Sequence, residues 1–368
     1  MNIASIPRST CTTVRFSAIF AILVAVVLGA FCAATRAAEP DPRWPPAKAW
    51  QWHEKQPWLV GCNFLPSTAV NDVEMWQAQS FDPKTIDREL GWARGLGFNT
   101  VRVFINFVVW KADAEGLKRR LDQFLAIAQR HGIRTMVILL DDCFKQNPQV
   151  GRQEDPIPGV HNSQWVASPG ERSVKDPRSW PDLERYVKDM VRSFARDRRL
   201  VVWDLYNEPT HSLPLVEAAF GWARQAGPDQ PLTTCVYGGS CDPVRLAELS
   251  DVISFHAYGS IAEMKKTVEQ LAPYRRPLLC TEWMCRPHSR FETHLPYLKE
   301  HRIGAWSWGL VAGRTQTYFP WGSPKGAAEP AVWFHDVLRA DGTPFGPREV
   351  RFLRVTLGIT GAPESKPR

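Results

Sequence analysis

Two glutamates stand directly at the ends of short apolar runs whose composition is typical of buried β-strands. Glu208 follows LVVWDLYN (200 to 207), and Glu282 ends PLLCTE (277 to 282), 74 residues further along the chain. Two facing carboxyl groups can protonate a leaving oxygen and attack an anomeric carbon, which are the two tasks of glycoside hydrolysis. A single glutamate at a strand end often pairs with an arginine or caps a helix, so the hypothesis depends on the pair.

Polar and aromatic residues occupy the ends of other predicted strands or follow them closely. They are Asn63, Arg102, Asn207, His256, Tyr258 and Trp308. For several of them, a purely structural role is the alternative to a role in a functional site. Arg102 could form an ion pair in the interior, Asn207 could cap a helix, and His256 could be a buried core residue. Asn63 is explained equally well as a turn residue.

The strands that would carry these residues alternate with amphipathic helices along the chain. Eight apolar runs are found at 58 to 63, 100 to 104, 134 to 140, 200 to 207, 232 to 237, 252 to 256, 277 to 282 and 304 to 308. Continuous apolar runs are typical of strands covered on both faces, and their alternation with helices indicates a parallel sheet. We therefore predict an α/β fold, a (β/α)8 TIM barrel over residues 58–357. Barrel enzymes act at the C-terminal ends of their strands, where the candidate residues would meet.

The fourth and seventh predicted strands resemble those of glycoside hydrolase clan A, and in particular family 5 with its cellulases and mannanases. The runs VVWDLYNEP and PLLCTEW carry this resemblance. It implies a retaining β-glycosidase in which Glu208 is the acid/base and Glu282 the nucleophile, acting on a β-linked glycan or oligosaccharide. A retaining glycosidase works by double displacement through a bond between the sugar and the nucleophile, and this mechanism needs no cofactor. The chain has neither the CxxC pair nor the HExxH helix that would suggest a metal.

The resemblance also implies roles for the neighbouring residues. Asn207 would hydrogen-bond the sugar 2-hydroxyl, and Arg102 would keep the nucleophile ionised. The Tyr258 hydroxyl would touch the nucleophile, while His256 would help to hold the site. Trp308 would offer its ring face to the reacting sugar, whereas Trp306, two residues earlier, is expected in the core.

The chain departs from the family pattern after the third strand. Many family 5 members have a histidine there, whereas this sequence has Asp141, Asp142 and Cys143, so the sugar contacts of the family cannot be carried over on that side. Asn63 is a further candidate contact at the end of the first strand. We also expect a raised pKa at Glu208, which must start protonated, and a charged nucleophile beside its arginine.

The N-terminal residues have the order of a secretory signal peptide. Arg8 and Arg15 precede an apolar run from Phe16 to Ala34, and small residues follow. A transmembrane anchor is the alternative, because the run approaches the length of a bilayer span. We predict a signal peptide over 1–37, a lead-in segment over 38–57 and a disordered tail over 358–368. The protein would be exported, periplasmic or secreted, with no stable membrane insertion after cleavage.

Charge and cysteine content narrow the possible partners. Loss of residues 1–37 would remove three arginines and lower the formal net charge from +7 to +4. The basic residues are scattered, which excludes a nucleic-acid partner of the usual kind. Six cysteines would remain, and local pairs Cys235 with Cys241 and Cys280 with Cys285 compete with other pairings and with free buried thiols. The sequence does not indicate an oligomeric state.

Two other functions are compatible with the same residues. A transglycosylase would pass the sugar to a hydroxyl group instead of water, and a non-catalytic barrel would bind a polysaccharide without cutting it. A binding protein, however, does not need a matched pair of glutamates. The sugar stays open, and exo or endo action depends on the long connection from Asp141 to about Ser179.

Overall fold

The computed structural model describes residues 43–359. The signal peptide predicted over 1–37 and most of the tail predicted over 358–368 therefore lie outside the described residues. Among residues 43–359, no helix combines the length and the apolar character that a bilayer span requires.

The predicted fold is confirmed: parallel strands form a barrel that is surrounded by helices. The strands are β1 (Val60–Asn63), β2 (Thr100–Phe104), β3 (Arg134–Asp141), β4 (Leu200–Asn207), β5 (Leu232–Thr233 with Cys235–Val236), β6 (Ile253–Ala257), β7 (Leu278–Trp283) and β8 (Gly304–Trp308). Every neighbouring pair is parallel. The first half of β5 pairs with β4 and the second half with β6, so β5 links the two edges of the sheet.

The interruption of β5 differs from the single strand predicted over 232–237. The amide of Thr234 donates to the hydroxyl of Ser250 at 3.2 Å, and the Thr234 hydroxyl donates to the carbonyl of Tyr206 at 2.7 Å. Side chains thus replace a backbone ladder bond at this residue. The bounds of β2, β4 and β8 agree with those predicted, and those of the other strands differ by one or two residues.

Helices follow the strands and cover the outside of the barrel. Within residues 43–359 they are α1 (Pro46–Glu54), α2 (Asp72–Trp76), α3 (Pro83–Leu96), α4 (Phe107–Arg130), α5 (Glu171–Lys175), α6 (Trp180–Ser193), α7 (Leu213–Ala226), α8 (Pro243–Leu249), α9 (Ile261–Leu271), α10 (Phe291–Glu300) and α11 (Pro347–Thr356). Their ends follow from the sequence. The Asp82 side chain caps the start of α3 by accepting from the amide of Thr85, and Gly97 ends the helix with a φ of 100°.

Apolar side chains close the N-terminal end of the barrel. Trp306 is buried there, as predicted, in a cluster with Met136 and Leu279 from neighbouring strands. The lead-in segment joins this cluster through Trp44 and through Ala49 of α1. Because this end is filled, a ligand can enter only at the opposite end, where the strands finish.

The C-terminal ends of the strands bring the candidate residues to one level. The register pairs are Asn63 with Arg102 and Trp308, Asp141 with Asn207, and His256 with Glu282. A register shift just before His256 sets the last pair opposite each other. The strand ends therefore converge on one site, which we call the barrel mouth.

Candidate active site

The carboxyl groups of Glu208 and Glu282 face each other across the barrel mouth. One oxygen of each lies within 4.8 Å of the other, and both lie within that distance of a ring nitrogen of His256. Retaining glycosidases hold their two carboxyl groups about 5–5.5 Å apart, whereas inverting enzymes need about 6.5–9.5 Å to admit a water. The separation here suits direct attack by one carboxylate on a sugar carbon.

Glu282 lies on β7 and is held by one donor at each carboxylate oxygen. Nη1 of Arg102 donates to Oε1 at 2.7 Å, and the hydroxyl of Tyr258 donates to Oε2 at 2.7 Å. Burial raises the pKa of Glu282, while the charge of Arg102 and the Tyr258 hydrogen bond oppose that rise. The two donors fix the orientation of the carboxylate and favour its charged form.

Arg102 is completely buried and lies between two carboxylates. Its guanidinium donates to Glu282, and both Nε and Nη2 donate to Oδ2 of Asp204 at 3.1 and 2.7 Å. Burial works against the positive charge, but the charges of Asp204 and Glu282 overcome it and raise the pKa of Arg102. All three guanidinium nitrogens donate to neighbouring side chains, so Arg102 acts on a substrate through the residues that it holds. It is a positioning residue.

The amide groups of Asn63 and Asn207 also hold this guanidinium. Oδ1 of Asn63 accepts from Nη1 at 2.8 Å, and Oδ1 of Asn207 accepts from Nη2 at 2.6 Å. Nδ2 of Asn63 donates to the carbonyls of Thr281 and Ser307. The polar atoms of Asn63 are thus engaged by other residues of the barrel, and a sugar contact there would have to displace one of these bonds.

Glu208 follows β4 with an unusual backbone conformation. Its φ is 43°, in the left-handed region that residues other than glycine seldom adopt. Its amide donates to Sγ of Cys235 at 3.0 Å, which helps to hold that conformation. Burial raises the pKa of Glu208, opposed by a hydrogen bond from Cys143 and by the charge of Arg102. The sequence analysis expected a raised pKa at Glu208, but burial raises the pKa of Glu282 as well, so the hydrogen-bond partners, and not the direction of the shift, distinguish the two groups.

His256 is a neutral partner of Glu208. Nδ1 lies 2.8 Å from Oε1 of Glu208 and 3.6 Å from Oε2 of Glu282. Burial lowers the pKa of His256 to about 4, although the charge of Glu282 opposes the change. The imidazole is therefore uncharged near pH 7, and its contact with Glu208 is a hydrogen bond in which Nδ1 donates. His256 thus holds Glu208 without adding charge.

Asp141 and Asp142 stabilise the site from the side of β3. Oδ1 of Asp141 accepts from Nδ2 of Asn207 at 2.9 Å, and Oδ2 accepts from the indole of Trp165 at 2.8 Å. Asp142 accepts from the hydroxyl of Tyr206 at 2.6 Å. It also accepts from the amide of Thr210 and the hydroxyl of Ser212, which follow Glu208 in the chain. These aspartates fix the neighbours of the catalytic pair.

Cys143 is a site residue whose role the sequence analysis did not identify. Its thiol donates to Oε2 of Glu208 at 3.2 Å, so both oxygens of Glu208 have a partner. All six cysteines of the described chain are free, so the local pairs considered from the sequence are absent and the free-thiol alternative applies. The sequence feature that could have pointed to Cys143 was its position after the third strand, where many family 5 members have a histidine.

Aromatic rings form one wall of the cavity that contains both glutamates. Trp308 packs edge-on against Phe104 and Trp165, with ring centroids 5.9 and 5.8 Å apart. The cavity volume is about 150 Å³, some ten times the roughly 10–15 Å³ that a single water needs. An aromatic wall beside paired carboxyl groups suits a sugar ring, which has apolar C–H faces and polar edges.

The group Glu208, His256 and Glu282 also has the composition of a metal site. Each residue offers a ligand atom within 4.8 Å of the others. Both oxygens of Glu282 already accept hydrogen bonds, however, and the buried cation of Arg102 lies 2.7 Å from one of them. A positive charge so close disfavours a second cation, so acid–base chemistry fits the group better than metal binding.

Comparison with known proteins identifies the fold. No protein-family model matches the sequence, and no curated protein is significantly similar to it. Solved structures do match. A GH5_18 protein from Streptomyces cattleya in complex with Manβ1-4GlcNAc is 16% identical, with a TM-score of 0.56 over 84% of this chain and 83% of that chain.

Two further solved structures that match this chain are named as a mannosidase and a mannanase. The exo-β-1,4-mannosidase of Opitutaceae bacterium strain TAV5 is 16% identical, with a TM-score of 0.56 over 82% of this chain and 60% of that chain. The hyperthermostable endo-1,4-β-D-mannanase of Thermotoga petrophila RKU-1 is 13% identical, with a TM-score of 0.52 over 82% and 99%. At these identities the likeness establishes the fold. The resemblance to family 5 found in the sequence is therefore confirmed at the level of the fold.

Proposed function

We propose that this protein is a retaining glycoside hydrolase that cleaves a β-linked glycan or oligosaccharide by double displacement. The observation that carries the proposal is the distance of at most 4.8 Å between carboxyl oxygens of Glu208 and Glu282. The different hydrogen-bond partners of the two groups support their division of labour. Glu282 is bound by a charged arginine, and Glu208 by a neutral imidazole and a thiol.

In the first step Glu282 attacks the anomeric carbon while Glu208 protonates the departing glycosidic oxygen. The bond to the leaving group breaks, and an ester bond forms between the sugar and Glu282. Arg102 and Tyr258 keep the attacking carboxylate oriented, which lowers the entropic part of the barrier. The raised pKa of Glu208 keeps its proton available at mildly acidic pH.

In the second step Glu208 is a carboxylate and accepts a proton from water. The resulting hydroxide oxygen bonds to the anomeric carbon, the ester bond to Glu282 breaks, and the sugar leaves with its original anomeric configuration. His256 and Cys143 each donate to Glu208, so its charged form has partners during this step.

Mannosides are the substrates to test first. The neighbouring structures are named as mannosidases, mannanases and a complex with Manβ1-4GlcNAc. A transglycosylase and a non-catalytic binding protein give different outcomes in the same assay. The first transfers the sugar to an added alcohol even when the alcohol is dilute, and the second releases no product.

The test combines activity with trapping of the intermediate. Purified protein is incubated with 4-nitrophenyl β-mannoside, β-glucoside and β-xyloside, and the configuration of the first product is read by NMR. We expect retention. A 2-deoxy-2-fluoro glycosyl fluoride of the active sugar should add one sugar mass to the peptide that contains Glu282. Inversion, or labelling of another peptide, contradicts the proposal.

Variants assign the two roles separately. Glu282→Gln should lose nearly all turnover, on the order of 10⁴-fold or more. Glu208→Ala should retain attack on a 4-nitrophenyl substrate, whose leaving group needs little protonation, and added azide should restore turnover as a β-glycosyl azide. The control is Glu269→Gln, an exposed glutamate on the outer helix α9, which should keep full activity.

A further inference from the structure

Three loops are hydrogen-bonded to one another beside the barrel mouth. They follow β1, β3 and β8. The amide of Asn162 donates to the carbonyl of Thr315 at 2.8 Å, and the amide of Gly326 donates to the carbonyl of Pro158 at 2.7 Å. These bonds join the long connection after β3 to the loop after β8, in the region that the sequence analysis expected to decide between exo and endo action.

Side chains strengthen the same junction. Oε1 of the buried Gln316 accepts from the amide of Gly159 at 2.9 Å, and its Nε2 donates to the carbonyl of Ile157 at 2.8 Å. Nδ1 of His161 lies 2.7 Å from the carbonyl of Phe319. Each loop thus supplies partners for the backbone of the other, which makes the junction a fixed part of the fold.

The loop after β1 completes this wall. The amide of Arg314 donates to the carbonyl of Ser67 at 3.0 Å, and Nδ2 of Asn71 donates to the carbonyl of Gln164 at 2.9 Å. The connected loops therefore run from β3 over the ends of β2 and β1 to β8. We call this set of connected loops the loop wall.

The loop wall stands on one side of the catalytic pair. Glu208 follows β4, which pairs with β3 at one end of the loop wall and lies opposite β8, four positions away in the eight-stranded barrel. The acid/base must reach the departing oxygen, so the leaving group extends on the side of Glu208. The far end of the attacked sugar then points toward β8, β1 and β2, where the loop wall stands.

Two hydrogen-bond acceptors in the cavity have no partner among residues 43–359. They are Oδ1 of Asn162 and Nε2 of His335, and both residues are 1% exposed and line the cavity with the two glutamates. Nδ1 of His335 lies 2.6 Å from the carbonyl of Met284, which only accepts, so the ring proton is on Nδ1 and Nε2 is an acceptor. Buried acceptors without a donor are costly, and sugar hydroxyl groups are donors.

We propose that the protein is an exo-acting glycosidase that removes one sugar from the non-reducing end, and that Asn162 and His335 accept hydrogen bonds from the free hydroxyl groups of that sugar. This proposal rests on the proposed function. A chain that continued beyond the attacked sugar would meet the loop wall. It would also lack the terminal hydroxyl group that the two acceptors recognise.

The first experiment compares capped and uncapped oligosaccharides with the wild-type chain. β-1,4-Mannotetraose and β-1,4-glucotetraose, labelled at the reducing end, are offered with and without a methyl group on the terminal 4-hydroxyl. We expect a labelled trimer as the first product and at least a 100-fold slower reaction of the capped tetramer. Comparable cleavage of both overturns exo action and leaves the hydrolase function standing. If neither the tetramers nor the 4-nitrophenyl glycosides are cleaved, the proposed function itself is wrong.

The second experiment tests the acceptor on Asn162. Its φ of 50° makes glycine the replacement that removes the side-chain carbonyl without straining the backbone. Asn162→Gly should lower kcat/KM about 10-fold or more. The wild type should favour the tetramer over its 4-deoxy analogue, and Asn162→Gly should lose most of that preference. An unchanged preference contradicts the assignment. Asn147→Gly, at an exposed position of the same loop, is the matched control.

Discussion

Replacing Arg102 by methionine should destabilise the fold and do so in a pH-dependent way. The guanidinium is the buried cation between Asp204 and Glu282, and removing it leaves both carboxylates buried without a positive partner. Loss of one partner from a buried ion pair costs about 3–5 kcal/mol. We expect a reduction of that size in the free energy of unfolding at pH 8, together with a fall in kcat on the order of 10²-fold or more.

The pH dependence follows from the raised pKa values of the two acids. Burial raises the pKa of Asp204 to about 6, and the charge of Arg102 opposes that rise. Without Arg102 both acids should hold their protons to still higher pH. A carboxyl group with a raised folded-state pKa favours the folded state at low pH, and this contribution is lost as the pH rises through the folded-state value. The penalty of Arg102→Met should therefore be largest near pH 8 and shrink toward pH 5.

Urea unfolding followed by circular dichroism at pH 5 and pH 8 measures this difference. Arg130→Met is the control, because Arg130 forms an exposed pair with Asp87 that should be worth at most about 1 kcal/mol at either pH. Equal penalties for Arg102→Met at the two pH values would refute the assignment of buried, charge-dependent partners. Full activity in a folded Arg102→Met protein would refute its role in positioning Glu282.

Three further predictions concern the cavity and the loop wall. Cys143→Ala removes a hydrogen bond that favours the charged form of Glu208, so its pKa should rise and the basic limb of kcat/KM should move to higher pH. Cys143→Ser should largely reverse the change, and a shift to lower pH would contradict the contact. Trp308→Ala should lower kcat/KM on the order of 10²-fold while Trp308→Phe keeps most of it, as a saturation curve for each variant would show. Gln316→Gly, compatible with its φ of 55°, should raise the rate on the capped tetramer relative to the uncapped one, and an unchanged ratio would separate Gln316 from the closure of the cleft.

The fold could be predicted because local sequence determines most of it. Strands covered on both faces give unbroken apolar runs, and β2, β4 and β8 have the predicted bounds. The prediction was incomplete at β5, where Thr234 bonds to Ser250 and Tyr206. No periodic pattern shows that a side chain will replace a ladder bond.

The site was predictable where a residue type sits at a strand end. Glu208 and Glu282 meet as their positions at strand ends indicated, and Tyr258 contacts Glu282 as the resemblance to family 5 implied. Asp204 and Cys143 were missed because their partners, Arg102 and Glu208, are 102 and 65 residues away in sequence. The signal for Asp204 was a lone acid within an apolar strand. Asn63 occupies its expected position, but its partners are backbone carbonyls and Arg102, which no motif reveals.

The left-handed backbone at Glu208 has a consequence for protein engineering. A conformation of this kind costs on the order of 1–3 kcal/mol in residues other than glycine. Glycine would relieve the strain at this position and remove the acid/base at the same time. A selection for heat resistance alone would therefore reward loss of function here, and improved variants should be chosen with turnover as a second criterion.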